Sequence, residues 1–166
     1  MILKYPKNWS SKMGALKHTP THFVEKIWKS LPNEPIDENF TKAFHTDHFN
    51  GREYKILAPK KHSIVADVHD KWYAGRTIHF HLQVSHAKVM QFAPVKQATS
   101  VQRIEIMYTD PDGFKLPEPN VFIDGCWFFG YSALAKNEGF PSVAAFFQKY
   151  NKDFTGKIVH WTTLKY

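Results

Sequence analysis

The stretch Arg76-Thr77-Ile78-His79-Phe80-His81-Leu82-Gln83-Val84 decides the fold class. Ile78, Phe80, Leu82 and Val84 alternate with Thr77, His79, His81 and Gln83, the period of two that turns one side of a strand to a core and the other to water. The same pattern recurs at 101–108, where Ile104, Ile106 and Tyr108 share a face opposite Arg103, Glu105 and Met107. Segments 62–68 and 121–123 add shorter strands. Residues 158–166, after a turn at Phe154-Thr155-Gly156, read as a closing strand.

Between and around these strands lie segments with helical spacing. After Thr21, a candidate cap, Phe23, Val24, Ile27, Trp28 and Leu31 form one apolar stripe with Glu25, Lys26 and Lys29 outside it, ending near Pro32. Ser142 precedes a second helix in which Val143, Phe146, Phe147 and Tyr150 recur at i, i+3, i+4 and i+7. A shorter helix is expected over 131–137, with Gly139 as its stop signal. Pro32 and Pro35 close one segment, and 111–119 reads as a turn-rich excursion. Helices that do not strictly alternate with strands predict an α+β fold with a mainly antiparallel sheet, most simply a small barrel with short helices on its flanks. No repeat, linker or composition break divides the chain, so a single domain over 1–166 is expected, with 1–17 a flexible or strand-forming extension.

Composition narrows the function classes. The chain has 166 residues, 43% of them hydrophobic and 16% aromatic, enough for a packed interior. No apolar run reaches the ~18 residues of a membrane span. The first ten residues lack the apolar core of a secretory signal. A lone Cys126 makes no internal disulfide, and a reducing, cytoplasmic setting is expected. Lys and Arg number 22 against 15 Asp and Glu, a formal charge of +7. That excess makes RNA, DNA or another polyanion the first partner to consider, because phosphates are attracted without any base readout.

Phosphate loops, dinucleotide-binding glycine turns, nucleophile elbows and paired-cysteine metal sites are all missing from the sequence. His79 and His81 share a strand face, and His45 and His48 lie three apart, but neither pair has an evident third ligand. No metal and no cofactor is expected. Basic and aromatic residues interleave in Lys71-Trp72-Tyr73-Ala74-Gly75-Arg76, a pattern suited to phosphate attraction and base stacking. Trp72 also reads as a core anchor, Gly75 as a turn residue with positive φ, and Trp161 as structural.

The run Lys60-Lys61-His62-Ser63-Ile64-Val65, the turn Trp72-Tyr73-Ala74-Gly75 and the later Arg103-Ile104-Glu105 resemble the ASCH domains of the PUA-like superfamily. Those domains carry Lys-x-x-Thr-Ile-Arg, Trp-x-x-Gly and an Ile-Glu pair in that order. Residues 20–27, Gly139-Phe140, Phe146-Phe147, Phe154-Thr155-Gly156-Lys157 and His160-Trp161-Thr162 are similar to a phage and bacterial branch, so the resemblance spans about 18–166. Ser63 stands where the family has Thr, and Val65 where it has Arg. The resemblance implies a PUA-like β-barrel flanked by helices.

It also implies one of two activities: binding of nucleic acid or a modified nucleobase or nucleotide, or removal of an acyl group from N4 of cytidine-type bases. In the hydrolase branch the chemical trio maps onto Lys60, Ser63 and Glu105. A hydroxyl becomes a nucleophile only when a base takes its proton, and Lys serves as that base only when burial or a neighbouring cation, such as Lys61, lowers its pKa. The binding reading places Lys60, Lys61, Ser63, Lys71, Trp72, Arg76 and Arg103 in a basic cleft, and it is the preferred expectation because the motif's Arg is replaced by Val65. A protein-binding module, such as a phage-encoded inhibitor presenting exposed aromatics, is the third class.

Overall fold

A computed structural model describes residues 1–31, 55–84, 88–110 and 112–166. Pro32, Pro35, His45, His48 and Pro111 lie outside the described residues. The fold is α+β with mainly antiparallel pairing. Among the described residues it has strands β1 (Ile2–Pro6), β2 (His62–Val65), β3 (Thr77–Gln83), β4 (Val89–Gln91), β5 (Lys96–Gln97), β6 (Ser100–Thr109), β7 (Lys115–Ile123), β8 (Cys126–Trp127) and β9 (Phe154–His160). Three short helices accompany them: α1 (Phe23–Trp28), α2 (Tyr131–Glu138) and α3 (Val143–Lys149). The strands form open sheets among the described residues; the closed barrel expected from the sequence is not seen there. The chain falls into two compact units, residues 1–60 with 77–96 and residues 61–76 with 97–166.

In the first unit β1, β3 and β4 are neighbours in that order. β1 runs parallel to β3, pairing Leu3 with Phe80 and Tyr5 with Leu82, while β3 and β4 are antiparallel. The expected alternation holds within β3, where Ile78, Phe80 and Leu82 are buried and His79 and His81 are half-buried on the other face with ring centroids 6.4 Å apart; Val84, expected on the buried face, lies past the strand end and is exposed. Tyr5 anchors the core with its ring centroid 5.9 Å from Phe23, 6.4 Å from Phe80 and 5.8 Å from Phe92. The stripe of α1 buries Phe23, Val24, Ile27 and Trp28, and the Trp28 indole N–H donates to the Phe92 carbonyl at 3.0 Å; Glu25, expected outside the stripe, is buried as well. α1 is shorter than its periodicity suggests. Its N-cap is His22, in the left-handed region at φ 55°, while the Thr21 hydroxyl before it donates to the Pro6 carbonyl at 2.8 Å and accepts from the Phe23 N–H at 3.4 Å. The N-terminal segment thus contributes a strand, one of the two forms expected for it.

The second unit is built on a five-stranded sheet of order β2-β9-β6-β7-β8, antiparallel throughout. Register places His62, His160 and Ser100 in one row and Ile64, Ile158 and Gln102 in the next, on the face that buries Ile104, Ile106, Val121 and Ile123. Leu134 and Ala135 of α2 and Ala145 and Phe146 of α3 are buried with them. Both helices end as expected: Ser142 accepts from the Ala145 N–H at 3.1 Å, and Gly139 sits at φ 91°, where a side chain strains the backbone.

Two boundaries differ from the sequence reading. Of the excursion read at 111–119, residues 112–114 form a turn, with the Gly113 N–H on the Asp110 carbonyl at 3.0 Å, whereas 115–119 belong to β7, which pairs with β6 across an irregularity between Met107 and Thr109. The closing strand is 154–160 rather than 158–166. Gly156 lies inside it because its missing side chain admits the Val65 carbonyl, which would meet a Cβ at about 2.4 Å.

Candidate functional site

The residues singled out by sequence fall into three settings. Lys60 belongs to the first unit and is 1% exposed, with Nζ 5.2 Å from the Phe23 ring centroid and 5.8 Å from that of Tyr5. Its backbone N–H donates to the Lys26 carbonyl at 2.9 Å. Burial, then repulsion from Lys60, draws the Lys26 amine down to about 8, while Glu25 partly restores it. The neighbouring cation that the sequence sought in Lys61 is therefore Lys26 within this unit.

Ser63 and Glu105 are both in the second unit. Ser63, on β2, is buried and lies opposite Val159, which in turn pairs with Val101. Glu105 is four residues along β6 from Val101. Two strand spacings and four residue rises separate the two backbones by roughly 16 Å, beyond hydrogen-bond reach of either side chain. Glu105 accepts instead from Arg103 Nε at 2.9 Å. Lys61 is half-buried, its backbone N–H held by the Asn137 carbonyl at 2.8 Å.

Lys71, Trp72 and Arg76 come together in the segment that follows β2. Asp67 organises it, its two carboxylate oxygens accepting from the Lys71 N–H at 2.9 Å and the Trp72 N–H at 2.8 Å. Asp70, at φ 53°, is tied to Lys157 Nζ at 2.6 Å, and that ammonium holds its carboxyl below the usual range. Gly75, at φ 86°, donates to the Ala98 carbonyl at 2.7 Å, as its position in the turn motif implies. Trp72 is buried and serves packing, as does Trp161. Its neighbour Tyr73 is 55% exposed, and Arg76 lies over it with the guanidinium carbon 5.3 Å from the ring centroid and Nη1 3.1 Å from the hydroxyl. Lys71 is exposed beside them. The segment thus presents a pre-stacked cation and ring on a fixed backbone.

Two features escaped the sequence reading. One is a buried polar network on the core face of the second unit. His62 Nε2 lies 2.8 Å from the Tyr166 hydroxyl and its Nδ1 3.0 Å from Glu138 Oε2, which also accepts from the Ile64 N–H at 3.2 Å. Asn137 donates to the same hydroxyl at 3.0 Å, and Gln102 exchanges two 2.8 Å bonds with the Tyr166 backbone. His160, 0% exposed, stands with its ring 5.3 Å from that of His62, and neither of its ring nitrogens has a hydrogen-bond partner among the described residues. Burial first, then the His62 charge, draws its pKa down to about 4. Nothing in the sequence marks the network's members as inward, since strand register decides which face they take.

The other is an aromatic row in which Trp127 and Phe129 are exposed and Phe122 is half-buried. Its signal was Asp124-Gly125 between apolar residues, the sequence of a two-residue hairpin. Both turn residues have positive φ, 51° and 80°.

No group of three metal-ligating side chains occurs among the described residues, and no helix there is long and apolar enough to cross a membrane. No family model, curated protein or solved structure matches the chain.

Proposed function

We propose that the protein binds nucleic acid or a modified nucleobase or nucleotide, with Lys71, Tyr73 and Arg76 as the contact set. The contact between Arg76 and the exposed Tyr73 ring carries this reading. A guanidinium pre-arranged over a ring pairs with phosphate while the open face of the ring accepts a base, so little side-chain freedom is lost on binding. The +7 charge supplies long-range attraction, and the Asp67 and Gly75 contacts hold the backbone beneath the stack. The PUA-like ASCH assignment belongs to the same proposal and rests on the order of the motifs at 60–65, 72–75 and 103–105. Acyl-cytidine hydrolysis is the weaker reading, since Ser63 and Glu105 stand too far apart to share a substrate bond.

Fluorescence anisotropy with labelled single-stranded RNA, single-stranded DNA and duplex, titrated over salt, tests the proposal. Binding by the parent with a smaller salt slope in Arg76→Ala supports it; equal slopes for parent and variant remove Arg76 from the contact set.

A further inference from the structure

β8 ends the five-stranded sheet, and no strand pairs with its outer edge among the described residues. The phase of its hairpin says which groups are exposed there. Ile123 pairs with Cys126 and Phe122 with Trp127, and the Phe128 N–H returns to the Val121 carbonyl at 2.8 Å. In an antiparallel ladder, residues alternate between facing the neighbour and facing away. Cys126 and Phe128 therefore face β7, and the Trp127 N–H and C=O point outward. Where β7 runs on beyond the cover of β8, Pro117 and Pro119 interrupt the row of N–H donors. The guarded and the open parts of this edge lie side by side.

The open part is also apolar. Trp127 is 55% and Phe129 74% exposed, their rings stacked at 5.8 Å and 15°, and Phe122 extends the row at 5.5 Å from Trp127. The carboxylates beside them are engaged, Glu105 by a cation and Asp124 by neutral donors. Glu105, in the same row as Phe122, is held by Arg103, and the two Asp124 oxygens accept from the Arg103 N–H and Gln102 Nε2. A polyanion gains nothing from such a patch, and a second chain carrying +7 is not repelled by it.

We propose that β8 is the seam of a two-fold dimer of this chain, Trp127 lying opposite its own counterpart. Two antiparallel edges related by a two-fold axis can place one residue opposite itself and exchange both N–H···O=C bonds there. Trp127 is the residue whose backbone groups face out, so it sits on the axis. The two Trp127 rings then lie side by side, and Phe122 and Phe129 of each copy continue the apolar layer. Cys126, exposed and one position off the axis, comes within about 8 Å of its counterpart, from two residue rises along the strands and one spacing across them.

Sedimentation of the parent protein should give twice the 19.3 kDa of one chain, and Trp127→Glu, which sets like charges opposite each other, should sediment as one chain with unchanged circular dichroism. A short bismaleimide should couple parent chains through Cys126 and fail with Cys126→Ser; this arm needs no folded Trp127 variant. A parent that sediments as one chain at high micromolar concentration, or that yields no coupled product, overturns the seam. So does a dimer that persists in folded Trp127→Glu. A monomeric parent whose RNA affinity falls on Trp127→Glu overturns it in favour of a base-stacking surface.

Discussion

The Tyr166 hydroxyl lies 2.8 Å from His62 Nε2, joining residues 104 positions apart. Asn137 donates to the same oxygen, so one group serves two partners inside the second unit. Tyr166→Phe keeps the ring and strands both. The loss expected is about 1–3 kcal/mol in urea unfolding, the cost of leaving buried polar groups unmade. A midpoint equal to the parent's would mean that other groups satisfy them.

His160 makes the fold sensitive to acid. Its folded pKa, about 4, lies below the ordinary 6.5, so the unfolded chain binds more protons between those values. Stability is then fully present above pH 6.5 and declines as pH falls toward 4, by on the order of 2–3 kcal/mol from this residue. The His62 side chain, the carboxylates of Glu138 and Asp124, and Lys165 set the field it titrates in. His160→Phe should flatten the pH dependence of the unfolding midpoint over that window, and an unaltered slope there would assign the acid sensitivity to other groups.

In the first unit, Lys60→Met should raise the Lys26 pKa from about 8 toward 10.5, because one of the two causes of its depression is the Lys60 charge. Methionine keeps contact with the Tyr5 and Phe23 rings while removing the ammonium. Amine labelling of Lys26 against pH, read by mass spectrometry, reports the shift. No change would leave burial as the whole cause.

At the proposed contact surface, Tyr73→Ala should cost about 1–3 kcal/mol of affinity for single-stranded nucleic acid if the ring stacks on a base. Arg76→Ala should reduce the log–log salt slope by about one. Anisotropy at several salt concentrations separates the two, since stacking is the less salt-dependent contribution. Equal affinity in Tyr73→Ala would take the ring out of the interface.

Ser142→Ala should destabilise the protein by about 1 kcal/mol, the usual cost of losing an N-cap acceptor. Its oxygen accepts the Ala145 N–H, and no second side chain caps α3 among the described residues. Thermal unfolding followed by circular dichroism reads the change, and a midpoint unmoved within error would mean that water caps the helix equally well.

Patterns carried by local periodicity were legible in the sequence. The alternation at 77–83, the spacing at 143–149, the start at Ser142 and the stop at Gly139 all depend on neighbours within a few residues, and each is found in place. What depended on distant pairing was not legible. Pro117 and Pro119 read as turn formers, yet pairing between β6 and β7 draws them into a strand. His62, Gln102 and His160 look like surface residues until register turns them inward beside Glu138. Of the candidate site, the segment 71–76 was readable because its residues are adjacent, whereas the separation of Ser63 from Glu105 is set by strand order across three strands.

The two units are braided along the chain: the first takes residues 1–60 and 77–96, and the second takes 61–76 and 97–166. β1 cannot find its parallel partner until β3, more than seventy residues on, has been made. Neither unit can be excised as one continuous fragment without carrying or losing part of the other, and a truncation near residue 60 separates β1 from its partner β3. Closing such long loops before any contact rewards them slows folding, so production of the intact chain depends on keeping incomplete sheets from aggregating in the meantime.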